Sequence, residues 1–414
     1  MKRLLTLAAA TVLGVGLILG ACASGSSARV IAGPRPQQSA ALTDVLVVRD
    51  GDRWTAEFTF HRDAPVWMFI NSALTREGGQ PWRPQSWVVE TAGVRMERRR
   101  WHEVFVAEDG GLVPRTVRVR FTPFTEDLHS AYEPARVFTD GSVALYTDQF
   151  DISPLASLAL ADGMPLDLNG IALEGGAARV TYQDRAGPVL LRGKREDRPM
   201  AIEARSYALF GKIPVRETEH FVTVIDPGLP TWMRDELADF TPRLLTLYAE
   251  RLGGGLPTRP TVMANWAGPT PSLSSMGGDV LPGLVMLAFE GDGVAAFTPR
   301  VQAQARSFLA HETAHFWLGQ VVRYERVRDS WITEGGADLL AVRATATIDS
   351  SYPAVDRLQQ EVDDCVRLAT GKAIQSAAER GEQRAYYACG ATFGLMPRPL
   401  RDRKAAISSL SFVR

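Results

Sequence analysis

Residues His311–Gly319 read HETAHFWLG, and residues Trp331–Asp338, a short distance further on, read WITEGGAD. These two segments are the most informative part of the chain. No Pro or Gly interrupts residues 301–318, so this region is predicted to be helical. Positions i and i+4 of a helix lie one turn apart on the same face. His311 and His315 can therefore direct both imidazoles at one metal ion.

Two acidic residues complete this pattern. Glu312 precedes His315 by three positions, which puts its carboxylate beside the same helix face, able to act on a water molecule without being a ligand. Glu334 follows His315 by nineteen positions (334 − 315 = 19) and is the candidate third ligand. Two neutral imidazoles and one oxygen ligand suit Zn²⁺ and leave one coordination position open. The pattern predicts a site for one zinc ion.

Together, the two segments resemble the gluzincin signature of the aminopeptidase N family, which is HExxH, eighteen residues and then Glu. The resemblance implies that His311, His315 and Glu334 are zinc ligands and that Glu312 is the general base of a peptidase. It also implies a multidomain α+β fold, in which an amino-terminal β-sandwich precedes a thermolysin-like, mainly helical zinc peptidase domain.

Further residues extend the resemblance. Asp338, four positions after Glu334, resembles the aspartate that orients the first zinc histidine of thermolysin, and a solvated helix carboxylate is the alternative. Residues 387–391 read YACGA and resemble the family context Tyr-x-x-Gly-Ala, which implies that the Tyr387 phenol stabilises the oxyanion. The neighbouring Tyr386 is an alternative donor, and a tyrosine packed for structural reasons is another.

One family motif is altered. In the family, Gly-x-Met-Glu-Asn precedes HExxH, and its glutamate binds the amino terminus of the substrate. Here the stretch from Gly277 reads GGDVLPG, so Val280 stands in the glutamate position and Asp279 lies one residue away. Gly277 and Gly278 are predicted to bind substrate, and an extended strand here could pair with a peptide backbone. Aminopeptidase specificity stays open.

The amino terminus has the features of an export signal. Residues 1–21 contain Lys2 and Arg3, then an apolar run, and then Leu-Gly-Ala before Cys22. This ending resembles the bacterial lipobox, which implies a lipid on Cys22 and an envelope location, at the outer membrane facing the periplasm if the host is Gram-negative. An ordinary secretory signal with an incidental cysteine is the alternative.

The residue pattern divides the rest of the chain into segments. Residues 22–41 are predicted to form a flexible tether, and residues 42–225, where short β-like segments alternate with turns, a β-sandwich domain. Four of these segments show the pattern: Trp54–Phe60, Val117–Phe121, Ala178–Tyr182 and His220–Ile225. Four isolated histidines of this region are predicted to be structural or exposed: His61, His102, His129 and His220.

Helical spacing of apolar residues begins near residue 226, so residues 226–414 are predicted to form the catalytic domain. Thr261–Ala264 and Leu284–Phe289 are its strand candidates. Pro397 and Pro399 interrupt the helix expected to carry Gly390, and the family continues with more helices. The resemblance therefore implies a domain truncated at its carboxyl end.

Charge and cysteine content limit the remaining possibilities. Lys and Arg number 46 against 47 Asp and Glu among 414 residues, which gives a net charge of −1 and no argument for nucleic acid binding. After export, Cys365 and Cys389 either form a disulfide or stay as buried thiols. The sequence predicts a lipid-anchored zinc metallopeptidase that acts on peptides or proteins. The alternative is a non-catalytic relative that binds or scaffolds envelope proteins.

Overall fold

Strands fill the first half of the chain, and helices dominate the second. The computed structural model describes residues 42–396 except 131, 169, 219–220, 254–255, 257–258 and 322–328. The predicted signal peptide, the tether, Cys22, His220 and the tail with Pro397 and Pro399 lie outside the described residues. Among the residues that are described, no helix combines the length and the apolar character needed to cross a membrane.

In the part of the first half that the structure describes, there are fifteen strands and two short α-helices. In chain order the strands are β1 Thr43–Asp50, β2 Arg53–Phe60, β3 Val66–Phe69, β4 Trp87–Val89, β5 Val94–Arg99, β6 His102–Ala107, β7 Thr116–Phe121, β8 Ala135–Val137, β9 Val143–Tyr146, β10 Ile152–Leu155, β11 Arg179–Asp184, β12 Val189–Leu191, β13 Lys194–Glu196, β14 Met200–Ala201 and β15 Tyr207–Phe210. The helices are α1 Trp82–Ser86 and α2 Leu158–Gly163.

Two sheets of this half share one hydrophobic core. Their strand orders are β14-β11-β1-β2-β7-β4 and β10-β3-β6-β5. Every second residue of β2 from Trp54 to Phe60 is buried, because successive side chains of a strand point to opposite faces. From the first sheet Phe58 reaches Phe105 of the second, with ring centroids 5.5 Å apart. Three predicted strands are thus confirmed as β2, β7 and β11.

The second half contains five strands and six helices within the described residues. The strands are β16 Val215–Glu217, β17 Val222–Ile225, β18 Thr261–Trp266, β19 Ser275–Leu281 and β20 Leu284–Glu290. The helices are α3 Thr231–Leu252, α4 Asp292–Ala295, α5 Pro299–Ala314, α6 Ser330–Ile348, α7 Ala354–Ala369 and α8 Arg384–Leu395. The expected order, a β-rich part before a helical part, is confirmed.

The sheet of the second half differs from the prediction in two places. Its order is β16-β17-β18-β20-β19, and β17 pairs with β18 in parallel. The segment that ends at Ile225 was assigned to the first domain, but its hydrogen bonds belong to this later sheet. The extended strand expected at Gly277 and Gly278 is the edge strand β19, but no residue pattern indicates its bounds, because glycine weakens a strand pattern. Antiparallel pairing with the apolar β20 holds it in place.

A third sheet connects the two halves. Its order is β13-β12-β15-β9-β8, and its apolar residues share a core with the sheet of the second half. Leu209 of β15 and Met286 of β20 both belong to this core. The contact brings the loops that precede β8 close to β19, where Arg136 lies 3.7 Å from Asp279. The β-rich half therefore forms one side of the region around β19.

Three of the four histidines predicted to be structural or exposed are among the described residues, and each has such a position. His61 is exposed and lies 2.9 Å from a carboxylate oxygen of Asp44, and His129 is exposed. His102 is buried, and its Nε2 atom lies 2.9 Å from the carbonyl oxygen of Pro165. None of these three belongs to the group of converging metal-ligand atoms described next.

Candidate metal centre

Three side chains of the second half bring potential metal ligands to one point. The ligand atoms of His311, His315 and Glu334 all lie within 4.8 Å of one another. The Nε2 atoms of the two histidines are 3.0 Å apart, and each is 3.5 Å from Oε2 of Glu334. All three side chains are partly buried. The structure thus assembles the residue set that the sequence predicted as ligands.

Two packed helices supply these ligands. Helix α5 begins after Thr298, whose hydroxyl accepts a hydrogen bond from Val301 N, and it carries His311 in its last turn. The predicted helix ran to Leu318, but α5 ends at Ala314, where tighter turns take over. His315 keeps αR backbone angles directly after the helix end, so it still lies on the face of His311. Helix α6 supplies Glu334 from its fifth position, just after its first turn.

Hydrogen bonds to the far side of each imidazole determine which nitrogen faces the centre. His311 Nδ1 lies 2.8 Å from Oδ1 of Asp338, and His315 Nδ1 lies 3.0 Å from the carbonyl oxygen of Leu318. Both partners are acceptors, so each Nδ1 carries a proton, and both Nε2 atoms of the neutral rings offer lone pairs. In that neutral state three lone-pair donors face each other, and either a metal ion or a proton shared between them stabilises the arrangement. These residues fit a Zn²⁺ ion.

The protonation preferences of the site show the same demand for positive charge. Burial lowers the pKa of His311, but hydrogen bonds with Asp338 and Glu334 outweigh it and raise this pKa to about 10. Burial also acts against ionisation of Glu334, yet hydrogen bonds with the two histidines hold its pKa well below its usual range. A metal ion would take the place of the proton that these groups otherwise attract.

The predicted base and the predicted substrate strand lie against each other. A Cβ atom added to Gly278 would be 2.8 Å from Cδ of Glu312, so only the glycine backbone fits beside this carboxylate. Burial raises the pKa of Glu312, the direction that suits a group that must accept a proton near neutral pH. Gly277 and Gly278 line a cavity, and they carry the exposed edge of β19 past the site.

Tyr387 and Tyr386 have different surroundings. The Tyr387 ring stacks on the His311 ring with centroids 5.6 Å apart. Burial, followed by the charge of Glu334, raises the pKa of Tyr387, so the phenol keeps its proton and can donate it in a hydrogen bond. Tyr386 points elsewhere, and its hydroxyl donates to the carbonyl oxygen of Gln375 at 3.1 Å. The structure brings Tyr387, and not Tyr386, to the metal centre.

Two glycines allow helix α8 to approach α6 closely enough for this contact. A Cβ atom on Gly390 would lie 2.0 Å from the carbonyl oxygen of Trp331, and one on Gly335 would lie 2.2 Å from Cα of Gly390. A disulfide between Cys365 and Cys389 joins α7 to α8, with Cα atoms 4.6 Å apart. This close packing places the face of α8 that carries Tyr387 against Glu334 of α6.

Asp338 and one residue absent from the sequence prediction complete the surroundings. Asp338 lies on α6 one turn after Glu334, and its contact with His311 is the one that the thermolysin resemblance implied. Its second oxygen, Oδ2, accepts from Nη1 of Arg384 at 3.1 Å. Arg384 has no motif of its own. Its position three residues before Tyr387 on α8 was the only signal that could have drawn attention to it.

A cavity of about 240 Å³ borders the site on the side of the β-rich half. Its walls come from β19 and from loops of the first half, and its charged residues are Arg76, Asp127, Glu133, Arg136 and Asp279. Arg136 pairs with Glu133 at 2.7 Å and with Asp279 at 3.7 Å. Asp279 therefore already has a cationic partner. Val280 packs against the core of the second half instead.

Comparisons with known proteins give a likeness of fold. No protein-family model matches the chain, and no curated protein matches it in sequence. The structure resembles that of an aminopeptidase N family protein from Idiomarina loihiensis with a TM-score of 0.52 at 11% sequence identity, over 85% of this chain and 65% of that protein. The fold is therefore peptidase-like, and the chain spans about two thirds of the length of that protein.

Proposed function

We propose that the protein is a zinc-dependent metallopeptidase with a β-sandwich and a thermolysin-like catalytic domain. The observation that carries this proposal is the convergence of His311, His315 and Glu334 with both Nδ1 atoms already bonded. Zinc held by these residues would polarise the scissile carbonyl and lower the pKa of a bound water. The resemblance of fold to an aminopeptidase N family protein supports the same class of reaction.

The residues of the chain have separate tasks in this reaction. Glu312 takes a proton from the attacking water and later passes it to the leaving amine. Tyr387 donates a hydrogen bond to the negative charge that develops on the carbonyl oxygen. The free edge of β19 at Gly277 and Gly278 pairs with the extended backbone of the peptide, which holds the scissile bond near Glu312.

The location follows from the amino-terminal motif. We propose that Cys22 carries a lipid and that residues 22–41 tether the enzyme to the membrane of the cell envelope, where its substrates are peptides or proteins. The surroundings of Asp279 bear on specificity. Its pairing with Arg136 leaves no unpaired carboxylate at this residue for a substrate ammonium group, so cleavage within a chain is as compatible with the site as removal of one terminal residue.

One experiment tests the function and the specificity together. The full chain, loaded with zinc, is incubated with a mixed peptide library in which half of the peptides are acetylated at the amino terminus, with and without a zinc chelator. Chelator-sensitive cleavage supports the proposal. Loss of single residues from free peptides alone identifies an aminopeptidase, and internal cuts in both sets identify an endopeptidase. Zinc binding without any cleavage would overturn the proposal and favour the non-catalytic binding protein.

A further inference from the structure

We propose that Arg384 is a positioning residue for the metal centre. Arg384 holds the Asp338 carboxylate, and Asp338 in turn holds the imidazole of His311 in the orientation that a metal ion requires. The inference rests on the proposed zinc function. Arg384 touches neither the candidate ligands nor the predicted base. The inference gives Arg384 a role in the orientation of His311, in addition to any role in the packing of α8.

The first step of the argument is that Asp338 is held from both sides. One carboxylate oxygen lies 2.8 Å from Nδ1 of His311, and the other accepts from Nη1 of Arg384 at 3.1 Å. A carboxylate with a partner on one oxygen alone can rotate and weaken its bond to the ring. With Arg384 in place, rotation would break two charge-assisted hydrogen bonds at once. The orientation of the His311 ring therefore depends on both contacts.

The second step is that Arg384 is itself anchored. Its Nη2 atom lies 2.5 Å from Oε2 of Glu361, and its Nε atom lies 3.3 Å from Oδ2 of Asp364. Glu361 is fully buried and also pairs with Arg357 at 3.1 Å. The planar guanidinium group thus makes three directed contacts, to α6 through Asp338 and to α7 through the two acids. A lysine ammonium cannot reproduce this fork.

The third step is that helix α8, which carries the Arg384 guanidinium group, also carries Tyr387 to the metal centre. Arg384 and Tyr387 lie one turn apart on α8, and they approach Asp338 and the His311 ring respectively. The same packing of α8 on α6 through Gly335 and Gly390 determines both contacts. Arg384 thereby links the position of α8 to the geometry of a metal ligand.

The test compares zinc affinity across four single variants of the full chain and one double variant. Arg384→Met removes the fork, Arg384→Lys keeps the charge, and Asp338→Asn removes the acceptor. Arg367→Met is the matched control. Like Arg384, Arg367 pairs with Asp364 of α7, at 2.7 Å, but its side chain is 64% exposed and it has no contact with Asp338 in the structure. Zinc dissociation constants come from competition with a chromophoric chelator, and the Co²⁺ absorption spectrum reports ligand geometry.

We expect Arg384→Met to weaken zinc binding about tenfold and to change the Co²⁺ spectrum, within the range typical of residues that orient a ligand. Arg384→Lys should recover part of this loss, and Arg367→Met should bind zinc as the parent does. Arg384→Met combined with Asp338→Asn should bind no more weakly than Asp338→Asn alone, because both act through one contact.

Unchanged zinc affinity in both Arg384 variants would overturn the inference, and so would fully additive losses in the double variant. If Arg384→Met does not fold, Arg384→Lys in the same measurements decides the question. The two levels of the proposal fail separately: a parent chain that binds no zinc contradicts the proposed function, whereas a parent that binds zinc as tightly as its Arg384 variants contradicts this inference alone.

Discussion

The β-rich half holds a buried cluster of charged side chains around Glu103, and the helical half holds a partly buried one around His311. The two clusters differ in how their hydrogen-bond donors and acceptors are matched. In the β-rich half, Glu103 is fully buried between two arginines: Oε2 accepts from Arg83 at 2.5 Å, and Oε1 accepts from Arg98. Arg83 also donates to two backbone carbonyl oxygens. Donors meet acceptors throughout these contacts.

The cluster of the helical half has the opposite character. His311, His315 and Glu334 present acceptors to one another, while the proton-bearing Nδ1 atoms face outward. In the cluster around Glu103, each carboxylate oxygen already has a cationic donor, whereas the cluster around His311 offers a set of ligand atoms that suits a cation. Burial and charge alone do not separate a structural site from a functional one. The balance of hydrogen-bond donors and acceptors within the cluster separates the two kinds of site.

The largest effect on activity is expected from substitution of Glu312, the proposed general base beside the cluster of the helical half. Glu312→Gln should lower kcat by about 10²- to 10⁴-fold, because an amide cannot take a proton from water, while zinc affinity stays unchanged. Peptide hydrolysis and zinc content are measured on the same preparations. Glu379→Gln, at an exposed acid of the same half, is the control. Turnover of Glu312→Gln equal to that of the parent would refute the mechanism.

A matched pair of variants tests the comparison itself. Glu103→Gln should lower the free energy of unfolding by about 3 to 5 kcal/mol, because it leaves two arginines without their counter-charge, one of them buried, and it should not alter zinc binding. Glu334→Gln should weaken zinc binding by more than about 100-fold, beyond the effect of residues that only orient a ligand.

Urea unfolding of the metal-free chains and zinc competition measure the two quantities. The comparison fails if both variants lose stability to the same extent, or if Glu103→Gln also loses zinc. Equal losses of stability would show that the cluster of the helical half is a structural ion pair. Loss of zinc from Glu103→Gln would show that the cluster of the β-rich half acts on the metal site.

The smallest of these effects concerns the two adjacent tyrosines. Tyr387→Phe should lower kcat about 10²-fold without changing zinc affinity, since it removes one donor from the developing negative charge. Tyr386→Phe loses its bond to the Gln375 carbonyl and should cost about 1 kcal/mol of stability with kcat unchanged. Steady-state kinetics and thermal unfolding of the pair check this. Similar losses of kcat in both would assign the effect to packing.

Much of the candidate site could be predicted, because its signal is local. The spacing of His311 and His315 needs only a helical turn, and alternation of apolar residues was enough for β2 and β7. The bounds of β19 could not be predicted, because its two glycines weaken the strand pattern, and pairing with β20 is what defines the strand. The sheet to which β17 belongs could not be read from its own residues, since any buried strand has the same apolar composition.

Chemical type and short helical spacing in the sequence were enough to name the candidate metal ligands and the candidate base. Tertiary structure decided which tyrosine reaches the centre and which residue holds Asp338. Both depend on the approach of α8 to α6 through Gly335 and Gly390, residues 55 positions apart (390 − 335 = 55). Contacts over such a distance arise from packing of whole helices, which no local pattern of side chains specifies.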